Sequence, residues 1–109
     1  MGYFYLLIAI IGEVIGTIYL KSTNNFSEFL PSTYVVLGYA TAFYFMMLAM
    51  KTIPVAITYS IWAAVGISAI TILGALKYKE IPDLLAILGL GLIIVGVIIL
   101  VFFSKMGTN

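Results

Sequence analysis

Apolar residues run along the chain in four long stretches that are separated by short polar links. The stretches cover about residues 3–21, 32–50, 54–76 and 84–104. Each is close to the roughly 20 residues that an α-helix needs to cross a hydrocarbon core about 30 Å thick. Because the apolar residues are continuous rather than alternating, the pattern excludes a β-barrel and predicts four transmembrane helices.

The composition supports a membrane protein and narrows the chemistry. Of the 109 residues, 64% are hydrophobic and 8% are charged, against about half and about a quarter in soluble domains. Cysteine and histidine are absent, which removes disulfides, thiol chemistry and the commonest metal ligand. We therefore expect an all-α membrane protein with a single transmembrane domain over residues 1–109. We expect no enzyme site, no cofactor, no metal and no nucleic-acid partner.

The lysines give only a weak signal for membrane orientation. Lys51 and Lys105 fall on the side of the chain termini, whereas Lys21, Lys77 and Lys79 fall on the other side. Orientation follows the bias of lysine and arginine in short loops, and a difference of one residue scarcely sets a direction. Two interpretations stay open: insertion in one orientation, and insertion in both, which would allow antiparallel dimers.

One carboxylate, Glu13, lies in the middle of the first stretch, within the run AIIGEVIGTIY of residues 9–19. An acidic residue at the centre of a membrane helix costs about 2.5–3.5 kcal/mol and normally faces a protein interior or a wet cavity on an ion or substrate path. The alternative is a protonated carboxyl that holds two helices together by a hydrogen bond. We favour the functional interpretation, since Glu13 is the only charged residue deep in any stretch.

Helical periodicity predicts the neighbours of Glu13. Residues three and four positions away share its face of the helix. They are Ala9, Ile10, Gly16 and Thr17, with Tyr3 further along the same side. The second and third stretches contribute inward candidates that are aromatic, namely Tyr39, Phe43, Tyr59 and Trp62. Aromatic faces attract organic cations by about 0.5–2 kcal/mol each, so a carboxylate beside them suits a hydrophobic cation.

The fourth stretch carries glycines one heptad apart, at Gly89 and Gly96. Small residues on one face let helices pack closely in lipid, so this spacing predicts a subunit interface. One chain with one membrane carboxylate can hardly enclose a polar path. We therefore expect a dimer as the smallest working unit.

The run GEVIGTIYLKSTNNF, the segment TYSIWAAVG and the ending DLLAILGLGLIIVG together resemble the small multidrug resistance transporters. The resemblance covers essentially the whole chain and implies an antiparallel homodimer in the plasma membrane that exchanges protons for quaternary ammonium or polyaromatic cations. It places the family's proton- and substrate-binding glutamate on Glu13. Its substrate-contacting aromatics fall on Tyr3, Tyr39, Phe43, Tyr59 and Trp62, and its dimer-packing glycines on Gly89 and Gly96.

The chain departs from the family pattern in the third helix. The family commonly has Trp-x-Gly-x-Gly where the backbone bends as the dimer switches, and here Ala64 stands at the first glycine and Gly66 at the second. Alanine is the better helix former by about 1 kcal/mol. Gly16 and Thr17 stand where a guanidinium-exporting branch of the family often carries a tryptophan, which favours the multidrug branch.

Two other functions stay open. A guanidinium or polyamine exporter of the same family fits the helices, although a polyamine favours more than one acidic group per subunit. A non-transporting membrane partner, such as a lipid-flippase subunit, is favoured if the carboxyl never titrates near neutral pH. No GxxxxGK[ST] phosphate loop occurs in the sequence, so we expect an ion gradient to drive export.

Overall fold

A computed structural model describes residues 1–105 as four α-helices joined by short links. The helices are α1 at Gly2–Leu20, α2 at Phe29–Ala49, α3 at Val55–Tyr78 and α4 at Leu84–Ile98. A 3-10 turn at Lys21–Thr23 follows α1, and a π-helical turn at Ile99–Phe103 extends α4. No strand occurs within the described residues.

All four described helices are long and apolar enough to cross a membrane. With their adjoining turns they contain 22, 21, 24 and 20 residues, against the roughly 20 that a spanning helix requires. The predicted all-α architecture with four transmembrane helices is therefore confirmed. The chain is a multi-pass membrane protein.

With the π-helical turn that extends α4 included, two helix ends differ by two or more residues from the bounds expected from the apolar pattern. α2 begins at Phe29 rather than near residue 32, with Pro31 inside its first turn. Proline is tolerated there because the first N–H groups of a helix have no partner within it. α3 continues to Tyr78 rather than ending near residue 76. It is closed by Lys79, which adopts a left-handed conformation with φ of 59° and donates its N–H to the Gly74 carbonyl.

The chain divides into two units, one comprising Met1–Thr52 and the other beginning at Ile53. In the first unit, α1 and α2 make the most extensive contact between any two of the described helices. In the second unit, α3 and α4 contact each other sparsely, and no residue of α4 is buried. The close helix packing that positions Glu13 therefore lies within the first unit.

Candidate functional site

The two carboxyl oxygens of Glu13, in the middle of α1, have different surroundings. Oε1 accepts a hydrogen bond of 2.9 Å from the hydroxyl of Thr17, one turn later in the same helix. Oε2 is buried and has no hydrogen-bond partner among residues 1–105. Burying a charged oxygen without a partner is costly. Oε2 is therefore the oxygen of this carboxyl that is left for a further hydrogen-bond donor or a cation.

A hydroxyl from α2 extends this arrangement across the two helices. The Tyr39 hydroxyl lies 2.7 Å from Thr17 Oγ1, and either oxygen is able to donate. A threonine hydroxyl has a single proton. Since Thr17 donates that proton to Glu13, Tyr39 donates to Thr17 when both bonds are made. We call this line of three side chains the Glu13 network.

Phe43 extends the aromatic surface from Tyr39 along α2. The centroids of the two rings are 6.4 Å apart, and their planes are inclined at 51°. Tyr39 is half-buried, whereas Phe43 is 58% exposed. Two predicted aromatic residues of the second helix therefore lie side by side, and the hydroxyl of one of them, Tyr39, is hydrogen-bonded to Thr17, the partner of Glu13.

Three glycines let α1 and α2 approach closely beside Glu13. A Cβ added to Gly38 would lie 2.6 Å from the Gly12 carbonyl oxygen, and a Cβ added to Gly12 would lie 2.7 Å from the Gly38 carbonyl oxygen. Gly16 faces the ring of Tyr39, where a Cβ would lie 3.0 Å from two ring carbons. A residue larger than glycine therefore requires the two backbones to move apart at Gly12 and Gly38.

Gly12 and Gly38 are not among the residues predicted from the sequence, although a signal for them exists. Gly12 and Gly16 are separated by three residues, and so are Gly38 and Ala42. This spacing of small residues is typical of membrane helices in close contact. Ala42 is completely buried, and its backbone nitrogen would lie 3.2 Å from a Cβ on Gly12.

The remaining predicted residues of α1 differ in their surroundings. Ala9 and Ile10 are buried, with 0% and 5% of their surface exposed. They supply apolar surface on the side of the helix that carries Glu13. Tyr3 is 62% exposed and lies ten residues before Glu13, about 15 Å along the helix. The Glu13 network does not include Tyr3, whose contact with a substrate stays a prediction.

The predicted residues of α3 belong to the second unit. Tyr59 is 62% exposed, and Trp62, three residues later on the same side of the helix, is half-buried. Ala64 and Gly66, at the predicted bend, are both buried. α3 is helical without interruption from Val55 to Tyr78, as the helix preference of alanine favours. A switching role for Ala64 and Gly66 stays a prediction.

The glycines predicted to join two subunits face open space. A Cβ added to Gly89 or to Gly96 would meet no other atom within 4 Å. Gly89 is half-buried and Gly96 is exposed. Within the described part of one chain, neither glycine serves a close helix contact. Their role in a dimer stays a prediction.

The other acidic residues lie outside the helix interiors. Glu28 immediately precedes α2, and Glu80 lies in the link between α3 and α4. Asp83 precedes α4 and accepts a hydrogen bond of 2.8 Å from the backbone N–H of Ala86. Across residues 1–105, no three His, Cys, Asp or Glu side chains are grouped as metal ligands. Glu13 is therefore the one carboxylate within a described span.

Known proteins resemble this chain over most of its length. The family model described as Small Multidrug Resistance protein matches residues 1–93. The quaternary ammonium compound-resistance protein QacE of Escherichia coli is 42% identical over 95% of this chain and 94% of its own. QacF of Klebsiella aerogenes, another quaternary ammonium compound-resistance protein, is 41% identical over 99% and 98% of the two chains. A multidrug transporter of Pseudomonas aeruginosa is 43% identical over 95% and 94%.

Proposed function

The chain belongs to the small multidrug resistance family, and on this premise we propose that it exports hydrophobic and quaternary ammonium cations in exchange for protons. Two relatives are named for resistance to quaternary ammonium compounds and a third as a multidrug transporter. Similarity over nearly the whole length supports the same class of substrate here. In this proposal both units work as one transmembrane domain in the plasma membrane.

The observation that carries the proposal is the buried, unpartnered Oε2 of Glu13. An ionised carboxylate with one such oxygen is unfavourable while it is empty. A proton neutralises the group, and an organic cation pairs with it. Because both occupants need the same oxygen, each displaces the other, and export of the cation is coupled to entry of the proton. Each occupant shifts the conformational equilibrium only by its difference in affinity for the two states.

The neighbouring side chains have distinct roles in this proposal. Thr17 holds Oε1 by its 2.9 Å hydrogen bond and so leaves Oε2 for the occupant. The rings of Tyr39 and Phe43 attract the cation by about 0.5–2 kcal/mol each. We assign further aromatic contacts to Tyr59 and Trp62 on α3.

A few more assignments complete the proposed site. We propose that Tyr3, near the start of α1, makes an aromatic contact with the cation. Ala9 and Ile10 form the apolar wall beside the carboxyl, an assignment supported by their burial. Gly16 leaves room for the Tyr39 ring.

We further propose that two copies form an antiparallel homodimer through α4, so that two Glu13 carboxylates serve one site. Support comes from the open space at Gly89 and Gly96 and from the lack of any buried residue in α4. Membrane helices associate where small residues let them approach. Ala64 and Gly66 are the proposed point at which α3 bends when the dimer switches.

Proton release tests the proposal directly. Tetraphenylphosphonium is added to the purified protein in weakly buffered detergent over a range of pH. We expect the wild-type protein to release protons and the Glu13→Gln variant to release none, because the amide of glutamine does not ionise. Glu28→Gln, which changes an exposed carboxylate ahead of α2, is the matched control and should behave as the wild type.

Transport in vesicles gives the decisive result. Wild-type vesicles should concentrate tetraphenylphosphonium against a pH gradient, and Glu13→Gln vesicles should not. Since aspartic acid is the stronger acid in model peptides, Glu13→Asp should work over a lower range of pH. Accumulation of the cation by Glu13→Gln vesicles at the wild-type rate would disprove the shared site.

A further inference from the structure

We propose that Gly12 and Gly38 are positioning residues of the site. Their contact sets the spacing between α1 and α2, and this spacing holds the Tyr39 hydroxyl against Thr17 and so orients the Glu13 carboxyl. Neither glycine bonds to the carboxyl. The inference about the geometry stands on the first unit alone, and only its effect on cation binding rests on the proposed function.

The contact is made between backbones, which cannot rotate out of the way. A Cβ on Gly38 would lie 2.6 Å from the Gly12 carbonyl oxygen, 2.9 Å from the Gly16 nitrogen and 3.1 Å from the Gly16 Cα. Atoms that are not bonded pack about 3.5 Å apart. Any side chain at Gly38 therefore forces the two helices apart by roughly half an ångström or more. A side chain at Gly12 meets the Gly38 carbonyl oxygen at 2.7 Å and has the same effect.

Each glycine is next to a member of the Glu13 network in the sequence. Gly12 precedes Glu13 on α1, and Gly38 precedes Tyr39 on α2. The spacing of the two helices at these glycines is therefore also the spacing across which Tyr39 reaches Thr17. The bond between them is 2.7 Å long, and hydrogen bonds between hydroxyls extend to only about 3.0 Å. The separation required by a Cβ is large enough to break this bond.

A wider helix spacing should break the bond between Tyr39 and Thr17 and keep the bond between Thr17 and Glu13. The bond from Thr17 to Glu13 joins two residues of α1, and a change in helix spacing does not stretch it. Only the link from Tyr39 is lost. Gly16 differs from the other two glycines because it faces the Tyr39 ring, a side chain able to turn aside. Gly12 and Gly38 act through the spacing of the helices.

Fluorine NMR tests the geometry without any assumption about transport. 3-Fluorotyrosine is placed at position 39 of the full-length protein in detergent, and its fluorine chemical shift is measured. The same label in the Thr17→Val variant gives the chemical shift of a Tyr39 that has lost its hydrogen bond to Thr17. We expect Gly38→Ala and Gly12→Ala each to move the resonance towards that chemical shift. Gly91→Ala is the matched control, since a Cβ at Gly91 meets nothing within 4 Å, and it should leave the resonance unchanged. Because one alanine variant could fold poorly, both Gly38→Ala and Gly12→Ala are measured, and either one that folds tests the inference. A wild-type resonance in a folded Gly38→Ala or Gly12→Ala protein overturns the inference.

Cation binding provides the second readout. We expect Gly38→Ala to weaken binding of tetraphenylphosphonium about 2- to 10-fold, the effect of losing the one hydrogen bond from Tyr39. In a Tyr39→Phe background the same change should have little further effect, because the hydroxyl that it displaces is already gone. If Gly38→Ala weakens cation binding by the same factor in the Tyr39→Phe protein as in the wild type, the two residues act independently and the inference is overturned. If the wild-type protein binds no cation, the proposed function fails, and the fluorine resonance still decides the role of the glycines.

Discussion

The glycines of α1 and α2 and the glycines of α4 have opposite surroundings, although all lie in apolar membrane helices. At Gly12 and Gly38, added Cβ atoms would meet backbone oxygens at 2.7 and 2.6 Å. At Gly89 and Gly96 they would meet nothing within 4 Å, and no residue of α4 is buried. Membrane helices associate through close packing at small residues, because lipid offers no hydrophobic gain. The first contact is therefore completed within one chain, whereas Gly89 and Gly96 make no such contact in the described part of the chain and serve one only in the proposed dimer.

The two regions also differ in what lies beside their glycines. The crossing of α1 and α2 is next to Glu13, the one carboxylate within a described span. The Thr17 hydroxyl bonds to this carboxylate, and the Tyr39 hydroxyl bonds to Thr17. α4 has only apolar side chains and glycines from Leu84 to Ile98. Added bulk should therefore disturb the binding site in the first region and association of the subunits in the second. Three substitution experiments, in α4, at Thr17 and at Asp83, test this distinction between the two regions.

The largest effect is expected when both α4 glycines are replaced, in a Gly89→Leu, Gly96→Leu double variant. Overpacking of a close contact costs about 1–3 kcal/mol, so the affinity between subunits should fall about 5- to 150-fold, and transport should fall with it. Because the space is open within one chain, the helix content should stay unchanged. Energy transfer between labelled subunits in vesicles measures the association.

Gly91→Leu is the control for this double variant. Gly91 is two residues from Gly89 and therefore on nearly the opposite side of the helix, with open space beside it as well. This variant should associate as the wild type does. Normal association of the double variant would mean that the surface with Gly89 and Gly96 is not the interface, and α4 would then face lipid on that side.

An intermediate effect is expected from Thr17→Val, which removes the middle of the Glu13 network and keeps the shape of the side chain. Both hydrogen bonds of the Thr17 hydroxyl are lost. Binding of tetraphenylphosphonium, measured by calorimetry, should weaken about 5- to 30-fold. The glycine contact is untouched, so the spacing of the helices should stay the same.

Thr33→Val makes the same chemical change elsewhere in the first unit. The Thr33 hydroxyl donates to the Phe29 carbonyl of its own helix and is exposed, so its loss should not affect binding. If Thr17→Val bound the cation as tightly as Thr33→Val, the hydroxyl would have no part in orienting the carboxylate.

How much of this site the sequence predicts depends on how far apart its residues lie in the chain. Thr17 was expected beside Glu13 because residues four apart share a helix face, and the two side chains are bonded. Tyr39 was expected to be an aromatic contact, but the bond from its hydroxyl to Thr17 depends on the register of α2 against α1. No local pattern sets that register. In the structure this register brings Gly12 against Gly38, and the spacing of small residues indicates a close contact without identifying the partner helix.

The first residue of α2 is another feature that the sequence pattern predicts only approximately. The apolar pattern predicts a second helix from about residue 32, and the helix begins at Phe29, with Pro31 in its first turn. Proline marks the first turn of a helix rather than its first residue, because every N–H of that turn is unpaired within the helix. The four spans themselves were predicted correctly because long apolar stretches have few alternatives in a membrane.

The smallest effect is expected at the start of α4, where Asp83→Ala removes the side-chain bond to the Ala86 N–H. Of the four described helices, only α4 has such a side-chain cap. A helix with no buried residues gains little from packing within its own chain, so its first turn depends more on local bonds. Loss of the cap should cost about 1 kcal/mol, and hydrogen exchange at Ala86 and its neighbours should become about fivefold faster. Asp83→Asn keeps a good capping residue and should exchange as the wild type does. Unchanged hydrogen exchange in Asp83→Ala would show that contacts other than the cap stabilise the first turn of α4. The contrast between a packed α1 and an unpacked α4 would then not apply to the start of α4.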